Sequence, residues 1–144
     1  MAEEMVSIAV LASGTGSNFR ALVEKDTSPG SVDLLLTDVP DCRALDHAKE
    51  LGVCGIYMNP GSYRTRFGLK EETQWADFLM ERGIQLVCLA GFMRILKGPI
   101  LEAFPNAVMN IHPSLLPSFP GLDAQGQAWS YGAKVSGCTV HYVD

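Results

Sequence analysis

Short apolar runs rich in β-branched residues alternate along the chain with segments whose apolar residues recur every three or four positions. Runs of the first kind are typical of buried strands, and the second spacing indicates amphipathic helices. The runs predict strands over Met5–Ala12, Val32–Leu36, Val53–Met58, Ile84–Ala90, Val108–Ile111 and Lys134–Val143. The periodic segments predict helices over Phe19–Lys25, Cys42–Leu51, Lys70–Arg82 and Gln125–Tyr131. Asp41 is expected to cap the second helix and Gly52 to end it.

This alternation predicts an α/β fold with a mainly parallel sheet flanked by helices, in a single domain over residues 1–144. No linker, repeat or low-complexity segment interrupts it. In such sheets ligands bind beyond the carboxyl ends of the strands. The segments that follow the first and fourth strands, together with the end of the fifth, are therefore expected to meet at one crevice. They are Gly14–Asn18, Gly91–Arg94 and Asn110–His112.

Composition narrows the class of protein. The 144 residues are 47% hydrophobic and 19% charged, which is typical of a globular domain. A net charge of −5 without a basic stripe argues against a nucleic-acid partner. The four cysteines are widely spaced, so neither a metal site nor a redox pair is expected. No apolar run reaches membrane-spanning length and Met1–Glu4 lacks a basic region, so we expect a cytoplasmic protein without membrane contact.

The loop Gly14-Thr15-Gly16-Ser17-Asn18 follows a strand and opens a helix. Glycines allow a tight turn, and the helix that follows offers unpaired amides and a positive dipole end, so a phosphate fits there. The spacing matches neither the dinucleotide fingerprint nor the Walker A loop. An ordinary strand–helix turn with Ser17 as its cap is the alternative.

Two further segments carry candidate chemistry. On an extended chain Asn110 and His112 point the same way, which places an amide donor beside a titratable imidazole. Such a pair suits acyl transfer, because it can hold a developing oxyanion and move a proton; a structural histidine before a stiff proline loop is the alternative. The apolar segment Gly91–Leu96 contains Arg94 and suits a flat ring with an acidic tail, although Phe92 and Met93 in such a segment are usually core.

Four long motifs occur together in one order: LASGTGSNFRAL, LAGFMRIL, NIHPSLLPSFPGL and GCTVHYVD. With them the chain, from about Val6 to Asp144, resembles the phosphoribosylglycinamide formyltransferases of purine biosynthesis. The resemblance implies a Rossmann-like formyltransferase fold and transfer of a formyl group from 10-formyltetrahydrofolate to the amine of glycinamide ribonucleotide. It implies a small-molecule substrate, no required metal, and a monomer or homodimer.

The resemblance also assigns roles to residues of this chain. Asn110 and His112 match the catalytic pair, with Asn110 donating to the oxyanion and also touching the folate. Protonated His112 would stabilise the same charge and then help to move a proton to the departing folate nitrogen. The positions that match substrate contacts are Thr15, Gly16, Ser17, Asn18, Pro113 and Gly121. Those that match the folate pocket, mostly through backbone contacts to the pterin, are Met93, Arg94, Ile95 and Leu96.

Three departures from the family pattern affect these expectations. By motif register the family's third catalytic residue, an aspartate, lies beyond Asp144, so the resemblance implies a C-terminally truncated chain that lacks the usual last strand and helix and has impaired activity. Asp123 stands where the family usually has histidine, and either Asp123 or Asp144 is a candidate to replace the aspartate. A folate-contacting arginine falls near Gly68, with Arg64 and Arg66 as candidates.

Three other functions remain open from the sequence. The first is a different enzyme that uses formyltetrahydrofolate on the same fold, such as methionyl-tRNA formyltransferase or formyltetrahydrofolate hydrolase. A noncatalytic module that binds folate or the nucleotide is the second. A fragment that folds only with a partner is the third, and exposed apolar surface would indicate it.

Overall fold

The computed structural model describes residues 5–25 and 28–144; the expectation from Met1–Glu4 lies outside the described residues. The strands are β1 (Val6–Ala12), β2 (Gly30–Thr37), β3 (Cys54–Tyr57), β4 (Leu86–Leu89), β5 (Val108–His112) and β6 (Thr139–Tyr142). The helices are α1 (Ser17–Glu24), α2 (Arg43–Leu51), α3 (Leu69–Glu81), α4 (Pro99–Ala103) and α5 (Ala124–Tyr131). Each predicted strand and helix is present, with bounds shifted by a few residues.

The strands form one sheet in the order β3-β2-β1-β4-β5-β6. The first five run parallel, and β6 pairs antiparallel with β5. This confirms the prediction of a mainly parallel α/β sheet. Because β1, β4 and β5 are neighbours, their carboxyl ends lie side by side at one edge.

The core lies on both faces of the sheet, and the central strand β1 supplies both. Its Ala9 and Leu11 join a cluster with the buried Trp75 and Leu79 of α3. Its alternate residues pack on the other face with α1 and α2; they are Ile8, Val10 and Ala12. Burial on both faces explains why β1 is a continuous apolar run rather than an alternating one. Each large side chain buried there contributes roughly 1.5–3 kcal/mol.

Two predictions about local structure were wrong, and one short helix was missed. Asp41 does not cap α2: it has a positive φ of 56°, and Cys42 is the N-cap without a side-chain bond. The last strand begins only at Thr139, so the predicted strand over Lys134–Cys138 is absent. The five-residue helix α4 was not predicted, because its amide groups are held by a side chain distant in sequence, Glu72.

Candidate active site

A cavity of about 420 Å³ opens at the carboxyl ends of β4 and β5. It gathers residues from four places in the sequence, including both members of the candidate pair and the whole candidate folate segment. Its lining includes Met93, Arg94, Ile95, Leu96, Asn110, His112, Gly121, His141, Val143 and Asp144. The structure therefore brings together the residues that the sequence placed at these strand ends. Pro113 follows His112 directly but is not part of this lining.

Asn110 and His112 lie two apart within β5, so both side chains leave the same face of the sheet. The antiparallel strand β6 places His141 opposite Asn110 and Thr139 opposite His112. His141 lines the cavity too. The side-chain amide of Asn110 has no hydrogen-bond partner among the described residues, which leaves it available to a ligand in the cavity.

The half-buried imidazole of His112 is oriented by the loop that follows it. Its Nε2 lies 3.1 Å from the carbonyl oxygen of Phe119. A carbonyl can only accept, so Nε2 carries a proton in this arrangement and Nδ1 is the nitrogen left for a second proton. Phe119 has a positive φ of 50°, and its ring contacts Tyr131 of α5 edge-on at 5.7 Å. Sequence reasoning did not find this role for Phe119.

Thr139 fastens the loop between β5 and α5 to the sheet. Its hydroxyl donates to the carbonyl of Ser114 at 2.7 Å and accepts from the amide of Leu116 at 3.0 Å. The buried Ser114 hydroxyl donates to the carbonyl of Ser118 at 2.5 Å. These bonds satisfy backbone groups of a proline-rich loop that has no ladder of its own.

The folate-segment candidates line the cavity, but the Arg94 guanidinium is bonded elsewhere. Its Nε donates to Asp38 at 2.6 Å, and its NH1 donates to the carbonyls of Tyr63 and Arg66 at 2.5 and 2.9 Å. The two side chains are 12% and 4% exposed, so this is a buried ion pair. Arg94 thus ties the segment to β2 and to the loop before α3. Its charge is already neutralised in this arrangement.

The side chains of Met93 and Ile95 are not core, since they are 61% and 58% exposed. Phe92 does pack inward, with its ring 5.8 Å from the rings of Phe67 and Trp75. The alternative that Phe92 and Met93 are both core is therefore right for the first and wrong for the second. Neither Arg64 nor Arg66 lines the cavity; the Arg66 guanidinium lies 3.9 Å from the centre of the Tyr63 ring.

The glycine loop after β1 forms a second, smaller cavity of about 260 Å³, lined by Gly14, Thr15, Gly16, Ser17, Asn18, Ala90, Gly91 and Met93. Gly16 is the N-cap of α1, so the alternative that Ser17 caps the helix is wrong. Gly16 has a φ of 74°, and a Cβ there would lie 2.8 Å from the backbone of Ala44. Only glycine fits such a position. The first amides of α1 have no acceptor within the helix, which is the arrangement at which anions bind helix N-termini in other proteins.

Arg20 lies one turn into α1, but carboxylates already hold it. Its guanidinium donates to Glu24 at 2.8 Å and to Glu50 at 2.9 Å, and its NH1 lies 2.8 Å from Nδ1 of His47. The hydrogen bond from Arg20 lowers the pKa of Glu50, and the same bond raises the pKa of Arg20. Arg20 therefore offers no free cation to this loop, and an anion bound there would contact backbone amides.

Sequence and structure comparisons agree with this geometry. The family model described as "Formyl transferase" matches residues 6–144. The chain belongs to the formyl transferase family. It is 39% identical over 143 residues to the phosphoribosylglycinamide formyltransferase of Bacillus subtilis, covering 97% of this chain and 72% of that one. It is 42% identical to part of the human trifunctional purine biosynthetic protein adenosine-3, covering 94% of this chain and 14% of that protein.

Solved structures are similar as well. Glycinamide ribonucleotide transformylase 1 from Symbiobacterium toebii matches with a TM-score of 0.90 and 44% identity, covering 99% of this chain and 68% of that one. The phosphoribosylglycinamide formyltransferase of Streptococcus pneumoniae matches with a TM-score of 0.87 and 38% identity, covering 97% and 74%. These matches confirm the Rossmann-like formyltransferase fold that the resemblance implied.

The departures from the family pattern have local explanations in this formyl transferase. Asp123 is the N-cap of α5 and accepts from the amide of Gly126 at 3.3 Å. A Cβ on Gly126 would collide with the Asp123 carboxylate, so the two unusual residues fit each other. Asp123 does not line the cavity, whereas Asp144 does. Of the two acids considered as replacements for the family's catalytic aspartate, only Asp144 lines the cavity with Asn110 and His112.

Three further residues that shape the site were missed by sequence reasoning. Ser13 and Asp38 are the first residues after β1 and β2, at the carboxyl edge of the sheet, a signal that was available. Glu72 is 1% exposed and shares the inward face of α3 with Trp75. A charged residue at an apolar-face position is its signal.

Among residues 5–25 and 28–144, no group of three or more His, Cys, Asp or Glu side chains is arranged to hold a metal ion. No helix in the same part of the chain is long and apolar enough to cross a membrane.

Proposed function

We propose that this chain transfers a formyl group from 10-formyltetrahydrofolate to the amine of glycinamide ribonucleotide, a step of purine biosynthesis. The observation that carries the proposal is that Asn110 and His112 lie side by side on β5 within one cavity whose other wall is Met93–Leu96. The glycine loop at Thr15–Asn18 lines a second cavity beside it, because the loop follows β1 and Met93–Leu96 follows the neighbouring strand β4. The names of the relatives support the same reaction.

The residues suit the chemistry of formyl transfer. The substrate amine attacks the formyl carbon and produces a tetrahedral oxyanion. The unpaired Asn110 amide would donate to that oxygen, and His112 in its doubly protonated form would stabilise the same charge. His112 would then give a proton, through Nδ1 in the present arrangement, to the folate nitrogen as its bond to the formyl carbon breaks. The proton that the attacking amine loses would restore the doubly protonated imidazole. These roles use no metal ion.

The two substrates would occupy the two cavities. The phosphate of the ribonucleotide would bind the amides at the start of α1, with Thr15, Gly16, Ser17 and Asn18 around it and Pro113 and Gly121 beside the substrate. The pterin would lie against the backbone of Met93–Leu96. Since Arg94 is paired with Asp38, we assign it to holding that backbone rather than to binding the acidic tail.

A cytoplasmic location belongs to this proposal. The four cysteines are free, and the exposed Cys54 and Cys138 are thiols of the kind that a reducing compartment preserves.

The test is formyl transfer by the purified chain supplied with both substrates, compared with Asn110→Ala and with Gln74→Ala, an exposed amide on α3. We expect Asn110→Ala to lower kcat/KM by about 100-fold or more, as loss of one oxyanion donor does, while Gln74→Ala stays at the wild-type rate. Circular dichroism confirms that each variant is folded.

Two results would contradict the proposal. Equal release of formate without the amine substrate would indicate a hydrolase. Tight binding of tetrahydrofolate or the ribonucleotide by a folded chain without turnover would indicate a noncatalytic binding module.

A further inference from the structure

One residue, Met93, lines both cavities. It lines the smaller cavity together with the glycine loop, and the larger one together with Asn110 and His112. If the proposed function holds, this places Met93 between the nucleotide phosphate and the folate. The position of its backbone therefore affects both ligand sites.

Ser13, which follows the neighbouring strand β1, holds that backbone by hydrogen bonds. Its hydroxyl oxygen accepts from the amide of Met93 at 2.9 Å, and its own amide donates to the carbonyl of Gly91 at 3.2 Å. The two bonds hold the chain on either side of Phe92. Ser13 immediately precedes Gly14, so the residue that grips the folate segment is continuous with the phosphate loop.

Other contacts hold the residues on either side of Met93, and the bond to Ser13 is the one that the Met93 amide itself makes. The Met93 side chain is largely exposed, so packing does not hold it. Before it, the Phe92 ring packs against the rings of Phe67 and Trp75. After it, the Arg94 guanidinium is paired with Asp38, and the Ile95 amide donates a hydrogen bond to the carbonyl of Thr65 at 2.9 Å. Between these contacts, the Met93 amide has the Ser13 hydroxyl as its partner.

We propose that Ser13 is a positioning residue that couples the two ligand sites. When a phosphate binds the amides after Gly14, the loop is ordered and Ser13 with it; the Met93 amide is then held in the position that the folate segment requires. A second ligand bears less of the cost of ordering that segment, which makes binding of the two ligands positively cooperative. The coupling is reciprocal, so each ligand tightens the other by the same factor.

A purely structural role for Ser13 would have a different effect. Replacing it would weaken the fold, or both affinities, while leaving the ratio between single and paired affinities unchanged. The factor by which one ligand tightens binding of the other therefore distinguishes the two roles. Recovery of that factor by a substitution that restores the hydroxyl distinguishes them a second time.

The experiment uses glycinamide ribonucleotide with tetrahydrofolate, a pair that has no formyl group and cannot react. Calorimetric titration measures the Kd of tetrahydrofolate with and without saturating ribonucleotide, and the reverse. We expect each ligand to tighten the other by about fivefold or more in the wild type. In Ser13→Ala the factor should fall close to one, and in Ser13→Thr it should return. Ser31→Ala, at the opposite end of the sheet, should keep the wild-type factor.

Each outcome decides the matter. A factor in Ser13→Ala equal to the wild-type factor would overturn the coupling role while leaving the proposed function intact. A wild-type factor of one, with both ligands bound, would do the same. Failure of the folded wild-type chain to bind either ligand would overturn the proposed function, and the coupling with it.

Discussion

At the scale of single residues, the ion pair between Arg94 and Asp38 is the most consequential interaction outside the catalytic pair. Arg94→Met would leave the Asp38 carboxylate buried without its counter-charge, and Asp38 already has one oxygen, Oδ1, without a partner among the described residues. We expect a loss of about 3–5 kcal/mol in the free energy of unfolding, measured by urea denaturation. Arg43→Met, on the exposed start of α2, should change it by less than about 0.5 kcal/mol.

The double variant Arg94→Met with Asp38→Leu separates charge from packing. Removing both charges should recover much of the lost stability, because no buried carboxylate is left unpaired. A double variant as unstable as Arg94→Met alone would show that the guanidinium bonds to Tyr63 and Arg66, rather than the ion pair, carry the effect.

The four thiols should differ in reactivity according to burial. Burial raises the pKa of the Cys88 thiol, so its thiolate becomes populated only at higher pH than that of an exposed cysteine. In the folded chain at mildly alkaline pH we expect iodoacetamide to label Cys54 and Cys138 quickly and Cys42 and Cys88 slowly, as peptide mass mapping would show. Labelling of Cys88 should accelerate only when the pH is raised further. Equal labelling of Cys88 and Cys138 before unfolding would contradict this.

At the scale of elements, α3 stabilises α4 through one buried carboxylate. Glu72 accepts from the amides of Lys97, Gly98 and Ile100 at 2.7, 3.1 and 3.4 Å, and these are the unpaired groups where α4 begins. Glu72→Gln keeps the shape but turns a donor toward some of these amides. We expect a loss of about 1–3 kcal/mol and faster hydrogen exchange at the three amides.

The matched control is Glu81→Gln, at the exposed end of α3. It should leave both stability and exchange unchanged. Unchanged exchange at Gly98 and Ile100 in Glu72→Gln would mean that α4 is held by Pro99 and Ile100 packing instead.

At this scale the sequence predicts the elements whose pattern lies within their own residues, and it does not predict those that depend on distant contacts. β1 was predictable because its apolar run carries the signal itself, and Asn110 with His112 because period two fixes their common face. α4 was not predictable, since five residues are too short for a periodic pattern and its cap comes from α3. The pairing of Arg94 with Asp38 depends on β2 and β4 being brought to the same edge through β1, which periodicity does not encode.

At the scale of the whole molecule, exposed large apolar side chains are concentrated after residue 120. The large apolar side chains exposed after residue 120 are Leu122, Trp129, Tyr131, Val135, Val140 and Tyr142. Two of them, Val140 and Tyr142, lie on β6, the last strand of the described sheet at that side. An apolar strand at a sheet edge promotes association between copies. Whether the protein is a monomer or a homodimer, the two states expected from the sequence, therefore depends on this apolar surface after residue 120.

We expect sedimentation velocity to show association that grows with protein concentration and with added salt. Salt matters because the net charge of −5 makes the copies repel one another, and ions screen that repulsion. Val140→Lys should reduce association by placing a charge on the edge strand. Ala133→Lys makes the same change of net charge in the exposed turn after α5, so it controls for repulsion alone. If the two lysine variants associate equally, the β6 edge is not the contact; if the wild type stays monomeric at every concentration and salt level, the apolar surface after residue 120 does not drive association in this molecule.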